Sequence, residues 1–273
     1  MTSAATRTAG ERQPITFGGQ MRDIAGMSVI VTGGGSGIGE ATARHFADRR
    51  AKVTICGRRA DKVAAAAASI GPNCLGVVAD VADEGDRAAL IRAAVEHGGG
   101  IDVLINNAGN MYRGPLDTLE EHKLLDVFHT NVVGPMMLTA LALPHLERSR
   151  GAVLFIGSVH AKRAFPGASP YAATKGAIET LTGVLAAELG PKGVRVSAVR
   201  PGAVFTEINQ RAGLFDDATA FERLQGLGSS HALGRIGTPE EVAEGLAYLA
   251  CAEWTTGEVL VVDGGLGLGV TNA

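Results

Sequence analysis

The chain has little cysteine and few aromatic residues: three Cys, one Trp and three Tyr among 273 residues, with aromatics at 4%. Cys56, Cys74 and Cys251 lie far apart without metal-ligand spacing. Neither a disulfide framework nor a cysteine metal site is expected, and a reducing cytoplasm is the fitting compartment. An excess of either charge is missing too. The 25 Lys and Arg against 28 Asp and Glu give a net charge of -3, which leaves no basic footprint for nucleic acid and points to small, roughly neutral partners. Residues 1–22 hold no apolar signal core, and no later run reads as apolar enough to span a bilayer, so no membrane association is expected. Arg7 and Arg12 with neighbouring hydroxyls hint at a transit peptide, but Glu11 and the lack of an amphipathic repeat argue for a flexible arm. Residues 23–273, in a chain of 46% hydrophobic content, suffice for one α/β domain with a large core.

Glycine is abundant, at 38 residues, and a dense group of it follows the first apolar run. Val29-Ile30-Val31 shows no polar alternation, as expected of a central parallel strand covered on both faces. Thr32-Gly33-Gly34-Gly35-Ser36-Gly37-Ile38-Gly39 then leads into helical sequence ending at Asp48. Strand, glycine turn and helix in that order place free N–H groups and the positive helix end where a pyrophosphate can sit, so a dinucleotide is the natural ligand. The spacing is T-G-x-x-x-G-x-G, because G-x-G-x-x-G would need glycine at Glu40. Taken alone, such a turn favours cofactor binding over a structural role by about two to one.

Strand and helix patterns alternate along the rest of the chain. Strands are expected at 51–57, 75–79, 101–105, 152–156, 194–199 and 259–262, and helices at 61–69, 84–97, through Asn131 towards Leu146, 171–189 and 239–249. Thr238-Pro239-Glu240-Glu241 supplies the cap, first-turn proline and acids that open the last helix. The pattern implies a doubly wound, three-layer α/β fold with a parallel seven-stranded sheet, a Rossmann fold. Residues 203–237 lack a clean period and read as a substrate loop or lid.

In such a sheet, ligands bind beyond the carboxyl ends of the strands, where the notable polar residues fall. Tyr171 and Lys175 are four apart on one expected helix, and Ser158 follows the adjoining strand. A phenol with a free pKa of about 10 becomes a useful proton carrier when an ammonium and an oxidised nicotinamide favour its phenolate. Ser158 would then hydrogen-bond the substrate oxygen, and Asn131 would hold a water linking Lys175 to solvent. A chance helix-surface pair would look the same, so the weight rests on the joint occurrence with the glycine turn.

These motifs resemble those of the short-chain dehydrogenase/reductase family, in its small non-extended branch, over about Ile24 to Gly265. The matching segments are the turn, Asp80, Asn106-Asn107-Ala108-Gly109, the four polar residues and Pro201-Gly202-x-x-x-Thr206. The resemblance implies an NAD(P)-dependent oxidoreductase interconverting a secondary alcohol and a ketone, with Asn131, Ser158, Tyr171 and Lys175 as the catalytic set. It implies cofactor contacts from Gly33, Gly35, Ser36, Gly37, Ile38, Gly39, Arg58, Arg59, Asp80, Val81, Asn107, Ala108, Gly109, Tyr171, Lys175, Pro201, Gly202, Val204 and Thr206. Substrate would meet Ser158, His160 and Tyr171, with Met111, Tyr112 and the loop 207–235 shaping its pocket. Gly57 stands where NAD-using members carry Asp, and Arg58 and Arg59 follow it, so NADP(H) is favoured over the alternative, NAD(H). No metal is implied. A homo-oligomer, tetramer or dimer, is expected through Leu124, Leu125, Phe128, Val132 and Val133. Departures are Arg50 in a usual glycine position, where it would take a left-handed conformation, and a short Cys251–Thr256 segment that bears on the usual tetramer contacts. An epimerase of the same fold, or a non-catalytic dinucleotide sensor or scaffold, is the competing expectation.

Overall fold

The computed structural model describes residues 21–206, 208 and 225–269. Its strands are β1 (Ser28–Thr32), β2 (Lys52–Gly57), β3 (Cys74–Val78), β4 (Val103–Asn106), β5 (Ala152–Ile156), β6 (Arg195–Pro201) and β7 (Val259–Val262). The helices are α1 (Gly37–Asp48), α2 (Ala60–Ile70), α3 (Glu84–Gly98), α4 (Glu121–Phe128), α5 (Gly134–Ser149), α6 (Ser169–Leu189) and α7 (Pro239–Cys251). All seven strands are parallel, in the order β3-β2-β1-β4-β5-β6-β7. The expected Rossmann sheet is therefore present.

Side-chain alternation along buried strands divides the core in two. Val29 and Val31 join Phe46, Ile55 and Leu246 on one face of the sheet. Ile30, between them, joins Leu104, Leu138, Leu146 and Phe155 on the other. Both layers are apolar, which explains why β1 shows no polar position over its central residues. Helix ends follow local chemistry: Asp83 caps α3 through the Asp86 N–H, and Thr238 and Glu241 form a reciprocal capping box on α7. Arg50 has φ 68°, the left-handed conformation expected of it.

Three expectations change. The long helix through Asn131 is broken into α4, a π-helical turn over His129–Val133, and α5. Pro135 has no N–H to offer the Asn131 carbonyl four residues back, so the α ladder cannot continue there. Gly134 lets this turn press on the chain after β3, since a Cβ there would lie 2.7 Å from the Val81 carbonyl oxygen. Second, the helical stretch Glu121–Ser149, 29 residues that contain an 18-residue window of mean hydropathy 1.3, is long and apolar enough by composition to cross a membrane, contrary to the sequence reading. Its Leu138, Ala142 and Leu146 pack into the core, while Leu125, Val133, Met136, Met137 and Leu141 are exposed, so its apolar content serves two faces. Third, the arm ends before Arg22, whose Nη2 donates to Asp102 Oδ1 at 2.6 Å and whose N–H bonds Cys251 O. Residues 1–20 lie outside the described residues.

Candidate active site

The strand ends converge on a cavity of about 460 Å³. One half is built from main chain. Gly33, Ser36, Gly37, Ile38 and Gly39 line it, and no side chain caps α1, so its first N–H groups face open space. Gly33 and Gly37 have φ of 66° and 55°, the left-handed region that glycine enters without strain. Crowding fixes two of these positions: a Cβ on Gly39 would lie 2.3 Å from Gly33 O, and one on Gly33 would lie 2.9 Å from Ala108 Cα. The neighbouring strand end holds the turn. Thr32 Oγ1 accepts from the N–H groups of Asn107 and Ala108 at 3.0 and 2.9 Å, and Asn107 Nδ2 donates to Thr32 O at 2.8 Å. A dinucleotide pyrophosphate fits this cradle: backbone donors, a positive helix end and no side chain in the way.

Beyond the turn, Arg58, Asp80, Val81, Asn107, Ala108 and Gly109 line the cavity as expected, as do Pro201, Gly202, Val204 and Thr206 on the far side. Arg58 Nη1 lies 3.7 Å from Asp80 Oδ2. Two expected residues do not line the space. Gly35 is turned against α2, where a Cβ would meet Lys62 and Val63 main chain at 3.3 Å. Arg59 opens α2 and donates from Nη2 to Ser36 Oγ at 3.3 Å, reaching the turn from its outer side.

The other half brings Ser158, Tyr171 and Lys175 together, all nearly buried and all lining the cavity. Lys175 Nζ donates to Ile156 O at 2.6 Å and lies 5.5 Å from the Tyr171 ring centre. Burial pushes the Tyr171 phenol up to about 12, opposed by a hydrogen bond from Ser158. The same burial pushes Lys175 down to about 8. Asn131 stands apart: it does not line the cavity, and its amide is taken up by both main-chain groups of Asn110, at 2.8 and 2.9 Å, and by Thr174 Oγ1 at 3.1 Å. Both N–H donors of the Asn131 amide are thus used within the protein.

His160 lines the cavity with Nδ1 3.1 Å from Ser158 Oγ. Its ring stacks on Phe165 at 4.3 Å and meets Tyr171 edge-on at 5.2 Å. Burial first, then the Arg113 and Lys175 cations, push its pKa down to about 4, so it is a neutral imidazole. Met111 lines the pocket, whereas Tyr112 turns away and accepts the Glu120 N–H at 2.8 Å. Arg113 and Phe165 line it as well, unforeseen from the sequence because they lie in aperiodic loops whose direction only the fold sets. Of the substrate loop, Ala203, Val204, Thr206, Ile208 and Leu227 reach the cavity, and residues 207 and 209–224 lie outside the described residues.

A family model described as enoyl-(acyl carrier protein) reductase matches residues 33–267. L-fucose dehydrogenase of Bos taurus is 38% identical over 250 residues, covering 90% of this chain and 91% of its own length. The crystal structure of 3-ketoacyl-(acyl-carrier-protein) reductase from Brucella melitensis complexed with NADH superposes with TM-score 0.82 at 32% identity, covering 89% of this chain and 99% of that one. A solved short chain dehydrogenase/reductase family protein, 36% identical with TM-score 0.79, covers 90% of this chain and 99% of its own. These relatives differ in what they are named for yet share nearly the whole fold, and the chain belongs to the short-chain dehydrogenase/reductase family, as an oxidoreductase that uses a nicotinamide dinucleotide.

Proposed function

We propose that the protein interconverts a secondary alcohol and a ketone, with Tyr171 carrying the proton. The observation behind this reading is the meeting of Ser158, Tyr171 and Lys175 in the same cavity as the glycine cradle. The nicotinamide, when bound, supplies or accepts the hydride. Ser158 holds the substrate oxygen by hydrogen bond, and Tyr171 donates a proton to it in reduction or removes one in oxidation. Lys175 lends positive charge beside the phenol, favouring its ionised form when the alcohol must be deprotonated. His160, held neutral and bonded to Ser158 Oγ, fixes that hydroxyl in place. Asn131 would hold a water that links Lys175 to solvent. A panel of ketones and alcohols followed by nicotinamide absorbance tests the reading. Tight cofactor binding without net turnover would instead indicate a sensor or an epimerase.

The preferred cofactor in this reading is NADP(H). β2 ends in Gly57, so no carboxylate stands there to repel a 2'-phosphate, and a guanidinium from each of the next two residues is near. Arg58, which lines the cavity beside Asp80, and Arg59, whose Nη2 meets Ser36 Oγ, would clamp that phosphate, with Arg58 also stacking on adenine. The expected ratio of kcat/KM for NADP(H) over NAD(H) exceeds one, falling about tenfold in Arg58→Ala and in Arg59→Ala. A wild-type preference for NAD(H), or a ratio unmoved in both variants, would refute this.

The same reading includes a homo-oligomer, dimer or tetramer, and a cytoplasmic setting that suits three unpaired cysteines. Of the residues expected at the contact, Leu125 and Val133 are exposed, whereas Leu124, Phe128 and Val132 are half-buried; Met136, Met137 and Leu141 extend the patch instead. Contiguous apolar surface of this kind favours association. Light scattering at micromolar concentration is expected to give a multiple of 28.0 kDa. A monomer alone would count against it.

A further inference from the structure

The near-neutral whole chain hides a local positive charge at the substrate end of the cavity. Three rings form a row there: Tyr171, His160 edge-on to it, and Phe165 stacked on His160. Arg113 lines the cavity at the far end of this row, with Nη2 donating to the Pro166 carbonyl at 3.3 Å. A guanidinium carries five N–H donors in a fixed fork. Among the described residues that bond is its one protein partner, and no carboxylate pairs with it. By contrast, Arg22, Arg44, Arg58, Arg200 and Arg235 each have an acidic partner. Met111, Ile208, Leu227 and Leu266 add apolar lining to the same cavity, which Asn110 and Thr130 also border.

We propose that the substrate carries a carboxylate bound by Arg113, joined by an apolar body lying along His160 and Phe165 to the carbonyl or alcohol carbon at Ser158 and Tyr171. This rests on the oxidoreductase reading given above. A carboxylate matches the planar fork and, desolvated against apolar walls, gains more from the pairing than it would in water. Neutral substrates of similar shape would leave the fork without an acceptor.

The test uses 4-oxopentanoate, 5-oxohexanoate and 6-oxoheptanoate, each against its methyl ester, with the full-length protein and reduced cofactor. In the wild type at least one acid is expected to exceed its ester about tenfold or more in kcat/KM, mainly through KM. The acid-to-ester ratio should fall about tenfold in Arg113→Gln and be partly kept in Arg113→Lys. Esters turned over as well as acids by the wild type, or a ratio unmoved in Arg113→Gln, would overturn the proposal while leaving the oxidoreductase reading intact. A calorimetric arm on cofactor-loaded Tyr171→Phe measures affinity for the same pairs without turnover. Preferential binding of an acid, lost in Tyr171→Phe/Arg113→Gln, supports the carboxylate site even if no ketone is reduced; no acid binding better than its ester refutes it.

Discussion

Tyr171→Phe will lower turnover by about 10²–10⁴-fold while cofactor affinity stays within about twofold of wild type. The substitution removes one oxygen and keeps the ring that His160 meets edge-on and Lys175 overlies. Lys175→Ala is expected to damage both turnover and cofactor binding, because in the proposed mechanism its ammonium serves the phenol and the nicotinamide ribose together. Steady-state rates with cofactor fluorescence titration separate the two effects, and near-normal rates in Tyr171→Phe would remove the mechanism. The wild-type pH profile gives a second readout. With its pKa pushed up to about 12, Tyr171 is a neutral phenol over the working range, ready to donate to a ketone. Oxidation needs its phenolate, so kcat/KM for the alcohol should rise with pH while that for the ketone holds level over the working range. Stability changes with the opposite signs of the two shifts. Lys175, down to about 8 from 10.5, leaves the unfolded chain holding more protons between those values, so its burial penalises the fold less as pH rises through them. Tyr171, up to about 12 from 10.0, keeps its proton in the fold after the unfolded chain has lost it, so stability declines again above pH 10.

Gly39→Ala should be the most damaging one-methyl change in the cofactor cradle. The new Cβ would stand 2.3 Å from Gly33 O and 2.5 Å from Asn107 Nδ2, and the first of these is main chain that cannot rotate away. α1 must shift off the turn, at about 1–3 kcal/mol for the overpacking, and the N–H groups aimed at the pyrophosphate shift with it. The expected result is a Tm lower by roughly 5 °C and a cofactor Kd raised more than about tenfold. Gly100→Ala is the control: nothing lies within 4 Å of its Cβ, and its Tm should hold or rise slightly. Calorimetry and fluorescence titration on both variants check this; a Gly39→Ala protein with wild-type Tm and affinity would mean that the cradle tolerates the methyl group.

The fold was legible where one physical cause acts alone. β1 reads as buried on both faces because both faces are buried, and α7 because its cap, proline and acids are all local. The alignment of Tyr171 with Lys175 follows from helix periodicity, and Ser158 from its place after β5. Asn131 was found by motif, but its environment was not: the π turn arises from a missing N–H at Pro135 and a close approach at Gly134, effects that act between elements. Gly35 looked like its neighbours in the turn until α2 packed against it. Arg113 and Phe165 carried no periodic signal, since loops beyond strand ends take their direction from the sheet. Tyr112 shows the reverse error, as one residue along a loop separates a side chain facing the cavity from one pinned to Glu120.

Residues 204 and 237 are joined by a single parallel bridge, backed by Gly237 N–H to Ala203 O at 2.9 Å. The chain thus leaves and returns at one clasp, and on its returning limb Leu233 N–H bonds Gly264 O at 3.1 Å, just beyond β7. Doubling the length of such an excursion adds only about 0.6 kcal/mol in chain entropy. Evolution can therefore rewrite that stretch with little effect on the stability of the sheet, exchanging one substrate preference for another while the proton-handling side stays as it is. Engineering has a similar freedom: grafts inserted between these two positions that keep Thr206, which borders the glycine turn, should change selectivity with little effect on folding or cofactor affinity.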